Sequence, residues 1–169
     1  MRGLNNPHKR DVVKNLLWEW KCDIVCFQES KLNSTSSSLV KSLGGSPFVD
    51  WRALDATHTT RGVILMWDRR VFERVDLVVR SFSILVLLEG VSDGFEWIYS
   101  EVYGPTDGSL RDAMWLELDL VRSRWAGAGA WCVFGDFNVI HYPDERLGCN
   151  SFSPSYVEIL GLHCETFAD

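Results

Sequence analysis

The chain has 169 residues, of which 46% are hydrophobic and 24% charged, and its net charge is −6. This length and balance fit one globular domain and exclude a disordered or fibrous protein. The negative charge argues against a module that holds nucleic acid only by neutralising phosphates, but it leaves room for a metal-dependent phosphodiesterase with a site of carboxylates. Residues 84–88 form the longest aliphatic run, and the N-terminus lacks an apolar signal, so we expect neither membrane insertion nor secretion.

The first predicted elements are a helix and a buried strand. Asn6 is a suitable N-cap and Pro7 a suitable first helical residue. One apolar stripe predicts the buried face of this helix, and its members are Val12, Val13, Leu16, Leu17 and Trp20. Residues 23–27 are apolar and rich in β-formers, so they predict a buried strand that runs into Gln28-Glu29-Ser30. A second helix is predicted around residues 39–43.

The middle of the chain predicts five strands in close succession, at residues 51–56, 62–67, 74–79, 83–89 and 95–103. Short turns between them favour hairpins and hence a mainly antiparallel sheet. A helix follows from a capping-box-like start at residues 109–112. Its apolar stripe contains Leu110, Met114, Leu118, Val121 and Trp125. Residues 131–134 predict a strand that leads into residues 135–138, and residues 154–162 predict a last helix.

The cysteine count is odd, since the chain contains Cys22, Cys26, Cys132, Cys149 and Cys164. Cys22 and Cys26 have the spacing of a metal-binding pair, but no second pair follows. We therefore predict buried free thiols in a reducing compartment.

Three strand ends carry polar residues suited to phosphate chemistry. Glu29 and Asp136 offer two carboxylates that can hold a hard cation such as Mg²⁺. Tyr103 can donate a hydrogen bond to a phosphate oxygen, and the amide of Asn138 can orient a phosphate or a water. Each segment also has an ordinary explanation, as a solvated strand-end glutamate, a strand terminator or a tight turn.

Together and in this order, five segments resemble the endonuclease/exonuclease/phosphatase superfamily. They are RGLNNPHKR at 2–10, DIVCFQESK at 23–31, RGVIL at 61–65, VYGP at 102–105 and GDFN at 135–138. The first of them, with DERLG at 144–148, looks most like the apurinic/apyrimidinic-like endonucleases of plant non-LTR retrotransposons. The resemblance implies an α+β fold, a four-layer α/β sandwich in which two mainly antiparallel sheets are flanked by helices.

The resemblance also implies roles for single residues. Glu29 matches the metal-binding glutamate, and Tyr103 matches a tyrosine that contacts the phosphate. Asp136 matches the aspartate that activates or positions the attacking water, and Asn138 the asparagine that orients the scissile phosphate. The implied cofactor is Mg²⁺, with Mn²⁺ as an alternative, and the implied substrate is DNA. The parent protein would carry a reverse transcriptase domain, and the protein would lie in the nucleus or cytoplasm; its oligomeric state is left open.

Two family features have no counterpart in this sequence. The family places an asparagine on a first strand just before the Arg-Gly-Leu segment, and a Ser-Asp-His motif near its end. We therefore expect residues 1–169 to form one incomplete domain, which lacks the first strand and the C-terminal part and is impaired in catalysis. Two alternatives stay open: a phosphoesterase of the same superfamily that acts on inositol phosphates or other small phosphate esters, and a degenerate, non-catalytic binding module.

Overall fold

The computed structural model describes residues 4–32, 34–44, 46–56 and 62–139. In these ranges the helices are α1 (Pro7–Trp20), α2 (Ser37–Ser42) and α3 (Arg111–Arg124), the last preceded by a 3-10 turn at Gly108–Leu110. The strands are β1 (Ile24–Gln28), β2 (Val49–Leu54), β3 (Val63–Asp68), β4 (Phe72–Val79), β5 (Ser83–Gly90), β6 (Glu96–Tyr103) and β7 (Ala130–Asp136). The helix predicted at 154–162, Cys149 and Cys164 lie outside the described residues.

The strands form two sheets. The first has the order β1-β3-β2 and the second the order β4-β5-β6-β7. Every neighbouring pair is antiparallel except β6 and β7, which are parallel because α3 carries the chain back between them. The predicted mainly antiparallel arrangement is therefore confirmed. The parallel pair ends with Tyr103 opposite Asp136, which brings two predicted site residues side by side.

The alternation of side chains along the strands separates three apolar layers. On β3, Ile64 and Met66 face α1 and α2, whereas Val63 and Leu65 face β5 of the second sheet. The far side of the second sheet is covered by α3, where Val102 packs against Met114 and Leu118. The layers are thus helix, sheet, sheet and helix, which confirms the four-layer α+β sandwich. None of the described helices is both long and apolar enough to cross a membrane.

The buried face predicted for α1 is wrong in part. Val13 is buried and Leu17 packs against the same core, but Val12 is 55% and Trp20 64% exposed. The helix meets the first sheet along a narrow line, so residues four apart reach the core while their neighbours face solvent. Cys22, expected to be buried, is also exposed, because it lies in the turn after α1 rather than on β1.

The two predicted helix starts had different outcomes. Asn6 caps α1 as predicted, because its side-chain oxygen accepts a hydrogen bond from the N–H of His8 at 2.9 Å. The capping box predicted at residues 109–112 is absent from α3, whose start has no side-chain cap. Instead, Asp107 accepts hydrogen bonds from the N–H and the hydroxyl of Ser109, both at 2.9 Å, and caps the preceding 3-10 turn.

Asp76 on β4 holds the end of α3, since its Oδ2 accepts hydrogen bonds from Arg124 at 3.1 Å and from the indole of Trp125 at 3.0 Å. The N–H of Leu77, followed by Trp125 and Arg124, lowers the pKa of Asp76. A carboxyl whose pKa is lowered by folding stabilises the fold at pH values above its pKa in the unfolded chain, about 3.9. This contribution is lost as the pH falls through the pKa in the folded chain.

We therefore expect Asp76→Asn to lower the free energy of unfolding at about pH 7 by less than about 1 kcal/mol, since the carboxylate is partly exposed. The difference from the unmutated chain should vanish near pH 2, which denaturant titrations at both pH values would measure. An equal difference at the two pH values would contradict the proposed electrostatic origin.

Candidate active site

The ends of β6 and β7 are joined by a short set of backbone contacts. Tyr103 and Asp136 are register partners, and the N–H of Gly104 donates to the carbonyl of Asp136 at 2.7 Å. The side-chain Nδ2 of Asn138 donates to the carbonyl of Gly104, also at 2.7 Å. Tyr103, Asp136 and Asn138 therefore lie together where these two parallel strands end.

This close approach requires two glycines. A Cβ at Gly104 would overlap the carbonyl oxygen of Phe137, and a Cβ at Gly135 would overlap the carbonyl oxygen of Val102. Gly135 also has a φ of 137°, a conformation that L side chains rarely adopt. The glycines of the VYGP and GDFN segments thus allow the two strand ends to pack backbone against backbone.

Asn138 is held by two further hydrogen bonds besides the one from its Nδ2 to Gly104. Its N–H donates to Oδ1 of Asp136 at 2.9 Å, and its own carbonyl accepts a hydrogen bond from Nη2 of Arg111 at 3.2 Å. Its φ of 51° is left-handed, which asparagine tolerates better than most residues. Arg111 was not singled out from the sequence, although its guanidinium orients the turn that carries Asn138. The Nε of Arg111 is buried without a partner among the described residues.

Glu29 lies at the same edge of the sandwich. It follows Gln28, the last residue of β1, and the side-chain Nε2 of Gln28 donates to the carbonyl of Val102 at 3.0 Å. Val102 immediately precedes Tyr103, so the end of β1 reaches the end of β6 across the two sheets. We call the region that contains Glu29, Tyr103, Asp136 and Asn138 the site edge.

The backbone of Glu29 is strained. Its φ is 54°, in the left-handed region that costs a non-glycine residue on the order of 1 kcal/mol. Such outliers persist only where neighbouring contacts hold them, and they cluster at functional sites. Here the next residue, Ser30, is held on both sides: its N–H donates to the carbonyl of Gly62 and its carbonyl accepts from the N–H of Leu4, each at 3.1 Å.

A buried carboxyl, Glu101, lies just behind the site edge and was not singled out from the sequence. It is 3% exposed and accepts hydrogen bonds from Nε2 of Gln28 at 2.5 Å and from the hydroxyl of Tyr99 at 3.1 Å. Burial raises the pKa of Glu101, while hydrogen bonds from Cys26, Tyr99 and Gln28 oppose that rise. Burial also raises the pKa of the Cys26 thiol and of the Tyr99 hydroxyl.

The sequence does contain a signal for Glu101. On β6, alternate residues put Tyr99, Glu101 and Tyr103 on one face, which is the face between the two sheets. A single acidic residue on an aromatic face of a buried strand indicates a paired or functional carboxyl, because an unpaired buried charge is costly.

The four predicted residues differ in exposure. Asp136 is exposed, Glu29 and Asn138 are partly buried, and Tyr103 is only 3% exposed because its ring packs in the core between the sheets. Tyr103 can therefore offer little more than the edge of its side chain to a ligand at this surface.

The donors at the site edge fit a hard divalent cation. In the described ranges, no cluster of three or more His, Cys, Asp and Glu side chains has metal-binding geometry. Mg²⁺, however, commonly takes one or two protein carboxylates and fills its remaining positions with water and substrate phosphate. Glu29 and Asp136 supply two such carboxylates, and the Asn138 amide and the Tyr103 hydroxyl add oxygen-bearing groups without sulfur or imidazole.

Comparison with known proteins identifies the fold. No family model matches the sequence, and no curated protein matches it significantly. Among solved structures, a mannosyl-6-phosphatase of Bacteroides thetaiotaomicron is similar with a TM-score of 0.63 at 13% identity, over 92% of this chain and 62% of that one. The human nocturnin catalytic domain with a bound sulfate anion is similar with a TM-score of 0.59 at 16% identity, over 87% and 69%.

An endonuclease/exonuclease/phosphatase family protein of Bacteroides thetaiotaomicron is also similar, with a TM-score of 0.57 at 14% identity, over 78% of this chain and 55% of that one. The chain spans less than two thirds of the length of either Bacteroides protein. The chain therefore has the fold of endonuclease/exonuclease/phosphatase family proteins.

Proposed function

We propose that this chain is a metal-dependent phosphodiesterase domain of the endonuclease/exonuclease/phosphatase superfamily, with DNA as its substrate. The observation that carries the proposal is the convergence of the QES, VYGP and GDFN segments at one edge of a sandwich with that fold. If these segments were only a solvated strand-end glutamate, a strand terminator and a tight turn, they would not be expected to lie together at one edge. Together they bring two carboxylates and an amide to one edge, next to the largely buried phenol of Tyr103.

The proposed roles follow from the chemistry of each group. Glu29 and Asp136 would hold Mg²⁺, or Mn²⁺ in its place, and the bound cation would offset negative charge on the phosphate and on the leaving oxygen. Asp136 is exposed, so its carboxylate can also accept a proton from an attacking water. Asn138 has one Nδ2 proton bonded to Gly104 and a second proton available to orient a phosphate oxygen. Tyr103 would donate a hydrogen bond from its hydroxyl to the same phosphate.

We propose further that the domain derives from a plant non-LTR retrotransposon whose parent protein carries a reverse transcriptase domain. The RGLNNPHKR and DERLG segments support this subtype, because they resemble the corresponding segments of those endonucleases. Access to chromosomal DNA would require the protein to reach the nucleus from the cytoplasm.

The chain by itself is proposed to be catalytically impaired. Its sequence contains no Ser-Asp-His motif and no asparagine before the Arg-Gly-Leu segment. Loss of one catalytic acid or base typically slows a reaction by ~10²- to 10⁴-fold. The effects of several such losses are not additive, so we assign no combined factor.

Magnesium binding and plasmid nicking test these proposals. By isothermal titration calorimetry, we expect weak Mg²⁺ binding to the chain and none to the Glu29→Ala/Asp136→Ala double variant, because both proposed oxygen ligands are removed. Glu73→Ala is the matched control, since Glu73 is an exposed carboxylate near the start of β4, at the opposite end of the second sheet. Equal binding by the chain and the double variant would contradict the proposed metal site.

We expect no nicking of supercoiled plasmid by the chain alone. A longer chain that includes an upstream strand and a downstream Ser-Asp-His segment should nick plasmid in Mg²⁺, and Asp136→Ala should abolish this activity. Nicking by the chain alone that is sensitive to Asp136→Ala would refute the proposed impairment and leave the phosphodiesterase assignment standing.

A phosphoesterase acting on small phosphate esters is the second candidate. The similarity to a mannosyl-6-phosphatase and the net charge of −6 support this candidate, whereas the RGLNNPHKR segment favours the nuclease. Phosphate release from sugar or inositol phosphates by the longer chain, without plasmid nicking, would select this function. Binding of DNA without either activity would select a non-catalytic module.

A further inference from the structure

We propose that Glu101 is a positioning residue, which holds the backbone of Glu29 in its left-handed conformation through the side chain of Gln28. The inference rests on the proposed function, because it assigns to Glu101 the task of orienting a proposed metal ligand. Glu101 itself lies between the sheets and does not reach the site edge.

The connection consists of direct contacts. Oε1 of Glu101 accepts a hydrogen bond from Nε2 of Gln28 at 2.5 Å, and the same Nε2 donates to the carbonyl of Val102 at 3.0 Å. Gln28 is covalently joined to Glu29. The side-chain amide of Gln28, the residue before the proposed metal ligand, is therefore fixed to β6 at two points, which lie one and two residues before Tyr103.

Glu29 is thereby clamped between two anchors. On its N-terminal side, the side-chain amide of Gln28 is bonded to Glu101 and Val102 of β6. On its C-terminal side, the N–H of Ser30 donates to the carbonyl of Gly62 at 3.1 Å. Between them the backbone of Glu29 adopts a φ of 54°. A strained conformation of this kind is held by neighbouring contacts, and the anchor at Gln28 depends in part on the carboxyl of Glu101.

The placement of Glu101 is specific for this task. Its carboxyl is satisfied by donors from both sheets, namely Gln28 and Cys26 on β1 and Tyr99 on β6. Burial of a carboxyl in a core costs free energy because the polar group is removed from water, a penalty that an apolar side chain at the same position would not have. The arrangement instead cross-links the two sheets at the point where their strands enter the site edge.

The first test measures Mg²⁺ affinity by calorimetry and amide hydrogen exchange at Ser30 in the full chain. Glu101→Ala removes one of the two acceptors of the Gln28 side-chain amide and leaves the carbonyl of Val102, so we expect an affinity about 10- to 100-fold weaker, as for other residues that orient a metal ligand. Exchange of the Ser30 N–H should become faster, because release of Glu29 loosens its bond to Gly62. Gln28→Ala removes this hydrogen bond from the other side, together with the bond to the carbonyl of Val102, and it should reproduce both effects if Glu101→Ala fails to fold.

Two variants separate positioning from general stability. Glu101→Gln keeps a carbonyl acceptor for Gln28 and should restore most of the affinity. Tyr99→Phe removes a different hydrogen bond from the same carboxyl without touching Gln28, and it should leave Mg²⁺ affinity and Ser30 exchange unchanged. If Gln28→Ala matches the unmutated chain in both readouts, or if Tyr99→Phe loses as much affinity as Glu101→Ala, the inference is overturned.

The two readouts also separate this inference from the proposed function. If the unmutated chain binds no Mg²⁺, the proposed metal site fails, and Ser30 exchange alone still decides whether Glu101 controls the Glu29 backbone. If the unmutated chain binds Mg²⁺ and Gln28→Ala changes neither readout, the metal site stands and the positioning role is rejected.

Discussion

Gly135→Ala is expected to lower the free energy of unfolding by about 4 kcal/mol or more, which is exceptional for a point substitution. The added Cβ would overlap the carbonyl oxygen of Val102 and lie 2.8 Å from its carbonyl carbon. These are backbone atoms of the neighbouring strand, so they can move only if the β6–β7 pairing breaks. The φ of 137° adds strain that no side-chain rearrangement relieves. Denaturant unfolding followed by tryptophan fluorescence measures the loss.

Gly127→Ala provides the matched control for this substitution. Gly127 lies in the turn after α3, where an added Cβ would meet nothing within 4 Å. Its effect should stay within about 0.5 kcal/mol of zero, as for other surface changes. Similar losses for the two variants would show that the close approach of β7 to β6 is not what requires Gly135.

Leu118→Ala is expected to lower the free energy of unfolding by about 2–5 kcal/mol. Leu118 is 1% exposed and lies in the layer between α3 and the second sheet, with Val102 and Met114. The truncation removes apolar surface from a closed cluster and leaves a cavity that its neighbours fill only in part. Because Val102 immediately precedes Tyr103, the variant should also lower the amide-exchange protection of the end of β6.

Leu120→Ala tests the same substitution two residues along the same helix. Leu120 is 64% exposed, so its truncation removes few buried contacts and should change stability by no more than about 0.5 kcal/mol. If the two variants were equally destabilised, α3 would not pack on the second sheet through the face that contains Leu118.

The strands were the part of the fold that the sequence predicted best. Short runs of β-formers separated by turn residues locate the five middle strands with ends no more than two residues from those observed. This works because a short apolar run bounded by turn residues is visible locally, even where both faces of the strand are buried, as on β3 and β5. The stripe of α3 is also confirmed at Met114, Leu118 and Val121, which are all buried.

The α1 helix shows where such local reasoning ends. Its apolar residues are more numerous than the core can accept, and Trp18 is 84% and Trp20 64% exposed. Periodicity states which residues share a face, but how much of that face is covered depends on the shape of the neighbouring sheet. The start of α3 is similar, since both Asp107 and Ser109 are plausible caps and the loop geometry selects Asp107.

For the site, the sequence by itself determined the residue types and their attachment to strand ends: Glu29 after β1, Tyr103 at the end of β6, and Asp136 with Asn138 at the end of β7. Their functional roles stay proposals. Only the tertiary structure decided that β6 and β7 are parallel and end together, and that Gly104 and Gly135 allow their backbones to touch. It also decided that Glu101 faces Gln28 across the sheets, because that contact joins residues 73 positions apart, whose distance no local pattern encodes.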